Sequence, residues 1–157
     1  MFNKHHDAPR EPCLRTACFL ARARAAIIGA VERVRLFVYG TLRRGFARAD
    51  LMAGAVFEGT AMTQSGYAIH DLGEYPALVV SADGVVSGEV YSVTPEHLEA
   101  LDRYEGCPEL YVRQSIALAD GLPAEAYFIN DPGVSGCPRI EAGEWQPGPG
   151  AKQERPR

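Results

Sequence analysis

The chain of 157 residues has little cysteine, and its cysteines do not follow the spacing of a disulfide framework or a zinc site. The four are Cys13, Cys18, Cys107 and Cys137, and none of them forms a CxxC pair. Small secreted domains carry cysteine at higher density, whereas the cytosol keeps thiols reduced. The sequence therefore predicts a cytoplasmic protein with free cysteines and without structural zinc.

Long apolar runs and an excess of positive charge are also missing. No stretch approaches the roughly 20 apolar residues that cross a bilayer, and Arg22 and Arg24 interrupt the apolar segment at Phe19–Val31. The formal net charge is -4, so the chain lacks the positive field that gathers phosphates. We expect neither a membrane nor a nucleic-acid partner, and the composition leaves the oligomeric state open.

Changes in composition along the chain predict one globular domain between two appendages. Residues 1–32 combine a polar start with a stretch of helical composition, and the segment after Pro147 is rich in proline, glycine and charge. We expect a helical or disordered appendage over 1–32, a globular domain over 33–146 and a disordered tail over 147–157. The length suits one hydrophobic core and is short for two.

Short runs of β-branched and aromatic residues dominate the expected domain. The predicted strands are Arg35–Tyr39, Ala55–Met62, Ala77–Val80, Val85–Val93, Tyr111–Leu118 and Ala124–Ile129. Six strands with few short helices favour an α+β fold built on a small mixed β-barrel, closed or strongly curved. The regular alternation of strand and helix that marks a doubly wound fold is absent from the pattern.

One helix is predicted from Pro95 to about Glu105. Thr94 is a good N-cap, Pro95 suits the first helical position, and Gly106 can take the left-handed conformation that ends a helix. Pro108 prevents any continuation. The helix is therefore short and has clear signals at both ends.

Glu105 is the residue of this helix that its spacing marks for chemistry. It follows Leu98 by seven residues and Leu101 by four, which places its carboxylate on the apolar face. Burial and the negative end of the helix dipole both favour the protonated form, so we expect a raised pKa that suits a general base. The residues alone leave a structural alternative open, in which Glu105 pairs with Arg113 and merely ties helix to strand.

The passage FVYGTLRRG at Phe37–Gly45 predicts a strand that ends in a turn. Gly40 allows close approach of the backbone, and successive N–H groups after it can hold a carboxylate or a developing oxyanion. A plain tight turn would need the same glycine, so the short motif is weak evidence by itself.

Metal and nucleophile chemistry find little support in the sequence. The histidines have no metal-binding spacing, and no serine lies in a GxSxG motif. Cys107 lies beside the predicted helix end without an evident histidine partner, so a packing role is favoured over that of a nucleophile. We expect no metal and no organic cofactor.

A resemblance to a known family is carried by two separated segments, LFVYGTLRRG at Leu36–Gly45 and GEVYSVTPEHLEALDRYEGCPELYVR at Gly88–Arg113. Together they resemble the γ-glutamylcyclotransferase-like superfamily, in particular its γ-glutamylamine cyclotransferase and AIG2-like branch. GEYPALV at Gly73–Val79 is similar to the family's middle segment. The similarity spans about residues 35–130 and continues weakly to Gly143–Trp145, and it also implies the small mixed barrel.

The resemblance implies an enzyme that acts on a small-molecule γ-glutamyl amine or peptide. The α-amino group would attack the γ-carbonyl of its own γ-glutamyl unit and release 5-oxoproline and a free amine, as an amine-releasing lyase or acyltransferase does. The family pattern places the catalytic glutamate at Glu105. It assigns substrate binding to the loop residues Tyr39, Gly40, Thr41 and Leu42.

Two further residues are candidates for substrate binding. Tyr111 would form a wall of the pocket, and Arg113 would orient a substrate carboxylate or brace Glu105. The loops around Phe46–Met52 and Gly66–Pro76 are expected to set specificity, and the leaving amine cannot be deduced from their sequence.

Two other functions remain open at this point. The domain could be a non-catalytic binding module for a γ-glutamyl or amino-acid-like ligand, although the presence of Glu105 favours an enzyme. It could also be an interaction protein that works through residues 1–32.

Overall fold

The structure is a computed structural model and describes residues 32–148. The chain divides into two units, 1–30 and 31–157, and the described residues belong to the second. The predicted appendage over 1–32 lies outside the described residues except for its last position, as does most of the predicted tail over 147–157. The predicted boundaries at 33 and 146 stay predictions.

Seven strands and one α-helix make up the described part of the chain, which is an α+β fold. In chain order they are β1 (Val34–Val38), β2 (Val56–Met62), β3 (Tyr67–Asp71), β4 (Pro76–Val80), β5 (Ser87–Val93), α1 (Pro95–Tyr104), β6 (Tyr111–Ala117) and β7 (Pro123–Ile129). Short 3₁₀ helices lie at Ala49–Met52 and Pro132–Gly136. Within residues 32–148 no helix has the length and apolar character to span a bilayer.

Five of the strands form one mixed sheet in the order β2-β5-β1-β7-β6. The central strand β1 pairs antiparallel with β5 and parallel with β7, where Leu36 lies opposite Glu125. β3 and β4 form a separate antiparallel hairpin. Because β1 has a neighbour on each side and a packed layer on each face, Leu36, Phe37 and Val38 are all buried, as their continuous apolar run predicts.

The sheet is not closed into a barrel, so the small mixed β-barrel, closed or strongly curved, that the sequence predicted is not confirmed. Its edge strands β2 and β6 approach each other only where they end, through an isolated bridge between Thr63 and Leu118. Farther along, the guanidinium of Arg35 on β1 lies 2.9 Å from Glu58 of β2 and 2.9 Å from Asp120 in the turn after β6. Backbone pairing along the whole edge, which closure requires, is therefore missing.

The six predicted strands are present, with ends within two residues of the predicted ones. β3 is not among the predicted strands, since it lies within Gly66–Pro76, which the sequence predicts as a loop. This strand is short and ends in the polar residues His70 and Asp71, so its apolar signal rests on Ala68 and Ile69. Both are buried where β4 pairs beside them, which is a tertiary effect rather than a local one.

Buried side chains form one cluster on each face of the sheet. β1 contributes Phe37 to the cluster that the β3–β4 hairpin covers, and Leu36 and Val38 to the opposite one. Leu98 and Leu101 of α1 pack in this second cluster. The alternation follows from the period of two along a strand. It places the end of α1 on the same face as Leu36 and Val38.

Candidate active site

The end of β1 and the end of α1 meet at a cavity of about 680 Å³. Its wall is completed by the connection between β3 and β4 and by residues of β6 and β7. Most of the predicted site residues line it, namely Tyr39, Gly40, Thr41, Leu42, Glu105 and Tyr111. Arg113 is not part of the lining.

Gly40 is buried where the loop after β1 packs against Pro76, the first residue of β4. A Cβ added at Gly40 would lie 2.8 Å from Cγ of Pro76 and 2.9 Å from Cδ, which is closer than van der Waals contact allows. The loop then turns, as the N–H of Arg43 donates to the carbonyl of Gly40 at 3.1 Å. Only a glycine lets the backbone approach β4 this closely.

Three consecutive backbone N–H groups after β1 have no acceptor among the described residues. Within residues 32–148, the N–H groups of Gly40, Thr41 and Leu42 donate no hydrogen bond. Backbone donors rarely stay unpaired unless water or a ligand accepts from them. Because all three residues line the cavity, their N–H groups are available to a carboxylate or an oxyanion there.

Glu105 follows the last residue of α1, and the backbone fixes its place. The N–H of Cys107 donates to the carbonyl of Asp102 at 2.9 Å, and the N–H of Gly106 donates to that of Arg103 at 3.3 Å. Gly106 has a φ of 65°, so the helix ends in a Schellman motif. Glu105 is therefore the C-cap of a helix whose end is well defined.

The carboxylate of Glu105 makes no hydrogen bond or ion pair with any other residue of the described chain. Burial raises the pKa of Glu105 to about 7 from an ordinary 4.5. A carboxyl group with this pKa can take up and release a proton near neutral pH.

Two tyrosines of the cavity lie close to Glu105. Burial raises the pKa of Tyr39 and of Tyr111 above the ordinary range, and the charge of Glu105 adds to the rise. Both hydroxyls are therefore neutral donors at physiological pH. The hydroxyl of Tyr39 donates to the carbonyl of Tyr127 at 2.7 Å, whereas that of Tyr111 has no hydrogen-bond partner within residues 32–148.

Arg113 does not line the cavity and belongs to a network that reaches the lining only through Tyr127. It donates to both carboxylate oxygens of Asp102, at 2.9 and 3.1 Å, and lies 3.5 Å from Glu125. The hydroxyl of Tyr127 also donates to Asp102, at 2.8 Å. The network ties α1 to β6 and β7, so the carboxylate that Arg113 braces is Asp102 and not Glu105.

Glu89 was missed by the sequence analysis. This residue of β5 is 8% exposed and accepts hydrogen bonds from the N–H of Arg44 at 3.0 Å and the hydroxyl of Tyr91 at 2.8 Å. The guanidinium of Arg44 lies 3.4 Å from the centroid of the Phe57 ring. Glu89 thus anchors the loop after β1. The sequence signal for this residue is a single carboxylate within an otherwise apolar strand.

The rim of the cavity was also not predicted residue by residue. Tyr75, Tyr104 and Leu110 present exposed apolar surface there, with the charged residues Glu74 and Arg48. Among residues 32–148 no group of three or more histidine, cysteine or acidic side chains is arranged to hold a metal ion.

A comparison with known protein families finds one family model that matches most of this chain. The model described as gamma-glutamyl cyclotransferase, AIG2-like, matches residues 36–147. The chain is 35% identical over 112 residues to the gamma-glutamylcyclotransferase family protein YtfP of Escherichia coli K12, across 71% of this chain and 96% of that protein. It is 36% identical over 90 residues to the gamma-glutamylaminecyclotransferase of Rattus norvegicus, across 52% of this chain and 60% of that protein.

A solved structure supports the same comparison at the level of the fold. The crystal structure of an AIG2-like protein from Mus musculus aligns with a TM-score of 0.65 and 25% identity. The alignment covers 80% of this chain and 97% of that chain.

Proposed function

The chain belongs to the gamma-glutamyl cyclotransferase, AIG2-like family, and on this premise we propose that it releases 5-oxoproline and a free amine from a γ-glutamyl amine or peptide. Membership supports cyclotransferase activity in general, and the assignment of residues is our own. One observation carries that assignment. A single cavity holds the carboxylate of Glu105 and the N–H groups of Gly40, Thr41 and Leu42, and none of these groups has a partner within residues 32–148.

The proposed reaction forms a bond between the α-nitrogen and the γ-carbonyl carbon and breaks the bond to the leaving nitrogen. An α-ammonium has no lone pair, so a base must first remove a proton. Glu105 accepts this proton and returns it to the leaving nitrogen. The attacking nitrogen loses a second proton to the same carboxylate as the intermediate collapses, and this proton also passes to the amine, which departs protonated. A pKa of about 7 lets the same carboxyl group act in both directions near neutral pH.

The tetrahedral intermediate places a negative charge on the former carbonyl oxygen. The N–H groups of Gly40, Thr41 and Leu42 are the proposed donors to that oxygen, and losing one such donor typically costs on the order of 3 kcal/mol of transition-state stabilisation. Because the nucleophile and the electrophile belong to one molecule, the cavity mainly has to hold the folded-back conformer. We propose that the side chains of Tyr39 and Tyr111 form the cavity wall beside this conformer. The hydroxyl of Tyr111, which has no partner within residues 32–148, is proposed as a further hydrogen-bond donor.

Arg113 has a different place in this proposal. It acts through Asp102, by holding the end of α1 against the sheet and so keeping Glu105 at the cavity. It is therefore a positioning residue without substrate contact. A cytoplasmic location remains a prediction from the pattern of cysteines.

The test is 5-oxoproline release from a panel of γ-glutamyl amines, peptides and isopeptides. The wild type, Glu105→Gln and the control Glu99→Gln, an exposed glutamate of the same helix, are compared by mass spectrometry. We expect release by the wild type and the control, and a loss of roughly 10²- to 10⁴-fold in Glu105→Gln.

The other outcomes are equally informative. Equal release by the wild type and Glu105→Gln removes this residue as the base. Absence of release by the wild type across the panel, together with binding of 5-oxoproline, favours the non-catalytic binding module.

A further inference from the structure

The proposed substrate carries a second charged group that the residues assigned so far do not bind. A γ-glutamyl unit has an α-carboxylate beside its α-ammonium, and this carboxylate stays ionised at neutral pH. A cavity that holds the unit in one orientation needs a cation or several donors for it. The sequence makes Arg113 a candidate for this role, but Arg113 is held by Asp102 and does not line the cavity.

Among the described residues that line the cavity, Arg48 alone carries a positive charge. Its backbone N–H donates to the carbonyl of Thr41 at 2.9 Å, which attaches it to the loop whose N–H groups are free. Within residues 32–148 its guanidinium makes no hydrogen bond and no ion pair. The charge of Arg48 is thus available at the cavity and belongs to the same loop as the proposed oxyanion donors.

The other two arginines of this loop have protein partners. Arg43 is buried, lies 3.2 Å from Glu144 and donates to the carbonyl of Trp145. Arg44 is held by Glu89 and stacks on an aromatic ring. Of the three arginines in the segment RRGFAR, only Arg48 therefore combines a place at the cavity with a free guanidinium in the described chain.

We propose that Arg48 binds the α-carboxylate of the γ-glutamyl unit, while Glu105 faces its α-ammonium. This inference rests on the proposed function and adds a specificity-determining residue to it. A guanidinium presents a planar fork of donors that matches both oxygens of a carboxylate. The enzyme would thereby prefer γ-amides of an α-amino acid over 4-aminobutanoyl amides, which have the same amine and carbonyl but no α-carboxylate.

The test compares two ligands that differ by this one group. 5-Oxoproline keeps the carboxylate, and 2-pyrrolidinone is the same ring without it. NMR titration of the full chain gives the Kd of each for the wild type, Arg48→Gln and Arg48→Lys. Arg103→Gln is the matched control, because Arg103 is also exposed and unpaired within residues 32–148 but does not line the cavity.

We expect the wild type to bind 5-oxoproline more tightly than 2-pyrrolidinone. Arg48→Gln should weaken 5-oxoproline binding about tenfold and leave 2-pyrrolidinone binding unchanged, since one charge-assisted contact is removed. Arg48→Lys should recover part of the loss, and Arg103→Gln should bind both ligands like the wild type.

Two results would overturn the inference, and they bear differently on the proposed function. If Arg48→Gln binds 5-oxoproline as tightly as the wild type does, the inference fails while the cyclotransferase proposal stands. If the wild type does not distinguish the two ligands, the inference fails as well, and the separate assay of 5-oxoproline release decides whether the proposed function fails with it.

Discussion

Asp102 and Glu105 lie three residues apart at the end of α1, yet among the described residues only Asp102 has a counter-ion. Arg113 donates to both oxygens of Asp102, at 2.9 and 3.1 Å, whereas Glu105 has no ion pair within residues 32–148. No positive charge in the described part of the chain therefore offsets the burial of Glu105, and the pKa of Glu105 rises. The network around Asp102 leaves the second carboxylate free for chemistry.

The first prediction concerns the pH dependence of turnover. Glu105 must be ionised to accept the proton of the α-ammonium, and its pKa is about 7. We therefore expect kcat/KM for a turned-over γ-glutamyl substrate to fall about tenfold for each pH unit below about 7. Rates measured between pH 5 and pH 9, with circular dichroism to verify folding, would show this. An acid limb near pH 4.5 would contradict the assignment, because an ordinary glutamate would produce it.

The second prediction concerns the stability of Glu105→Gln. The pKa in the folded chain, about 7, lies above the ordinary 4.5, so between these values the folded chain keeps a proton that the unfolded chain has released. The free energy of unfolding of the wild type then falls as pH rises through this window. Glutamine does not ionise, so Glu105→Gln should match the wild type below about pH 4.5 and exceed it by up to about 3 kcal/mol above pH 7.

Urea denaturation at several pH values measures this difference. Glu99→Gln, at an exposed position of α1, is the control and should show no such trend relative to the wild type. A difference between Glu105→Gln and the wild type that is the same at pH 4 and pH 8 would show that folding does not raise the pKa of Glu105.

The features that the sequence predicted well are local ones. α1 begins at Pro95 because the hydroxyl of Thr94 accepts a hydrogen bond from the N–H of His97 at 3.3 Å, and it ends before Gly106, as its capping residues indicate. The apolar spacing that singled out Glu105 is a property of the helix alone.

The features that the sequence did not predict depend on distant contacts. Helical spacing does not place either Asp102 or Glu105 relative to β6, so the sequence could not show that Arg113 pairs with Asp102. The role of Glu89 depends on the hydrogen bond that joins the loop after β1 to β5, and the sequence of β5 does not predict this contact. Arg48 differs from Arg43 and Arg44 because those two arginines have partners in the described chain. Their pairing depends on tertiary contacts, which the sequence of the loop does not show.

The third prediction concerns the packing of the binding loop. In Gly40→Ala the new Cβ would lie 2.8 Å from Cγ of Pro76, so the loop must shift away from β4. We expect a loss of about 1–3 kcal/mol in the free energy of unfolding. A shift of the free N–H groups by about 1 Å should also lower kcat/KM about a hundredfold.

Thermal denaturation and steady-state kinetics test this pair of effects. Gly136→Ala is the matched control, because an added Cβ there meets no atom within 4 Å and its φ is ordinary. Wild-type kcat/KM in Gly40→Ala would show that the loop needs no close contact with Pro76 for function.

The last prediction concerns Glu89 as a positioning residue. Glu89→Ala leaves the N–H of Arg44 and the buried hydroxyl of Tyr91 without their acceptor, so we expect a loss of about 2 kcal/mol in the free energy of unfolding. The loop after β1 loses its anchor. KM should therefore rise several-fold, with a smaller fall in kcat than in Glu105→Gln, which removes the proposed base itself.

The matched control is Glu58→Ala, which removes another ion-paired glutamate, on the neighbouring strand β2 and away from the cavity lining. It should lower stability without raising KM. Glu89→Gln keeps a carbonyl acceptor for Arg44 and Tyr91 and should recover most of the KM. If Glu89→Ala changes KM no more than Glu58→Ala does, Glu89 stabilises the fold without positioning the loop. A selective rise in KM means that a carboxylate outside the cavity fixes the geometry of the donors inside it.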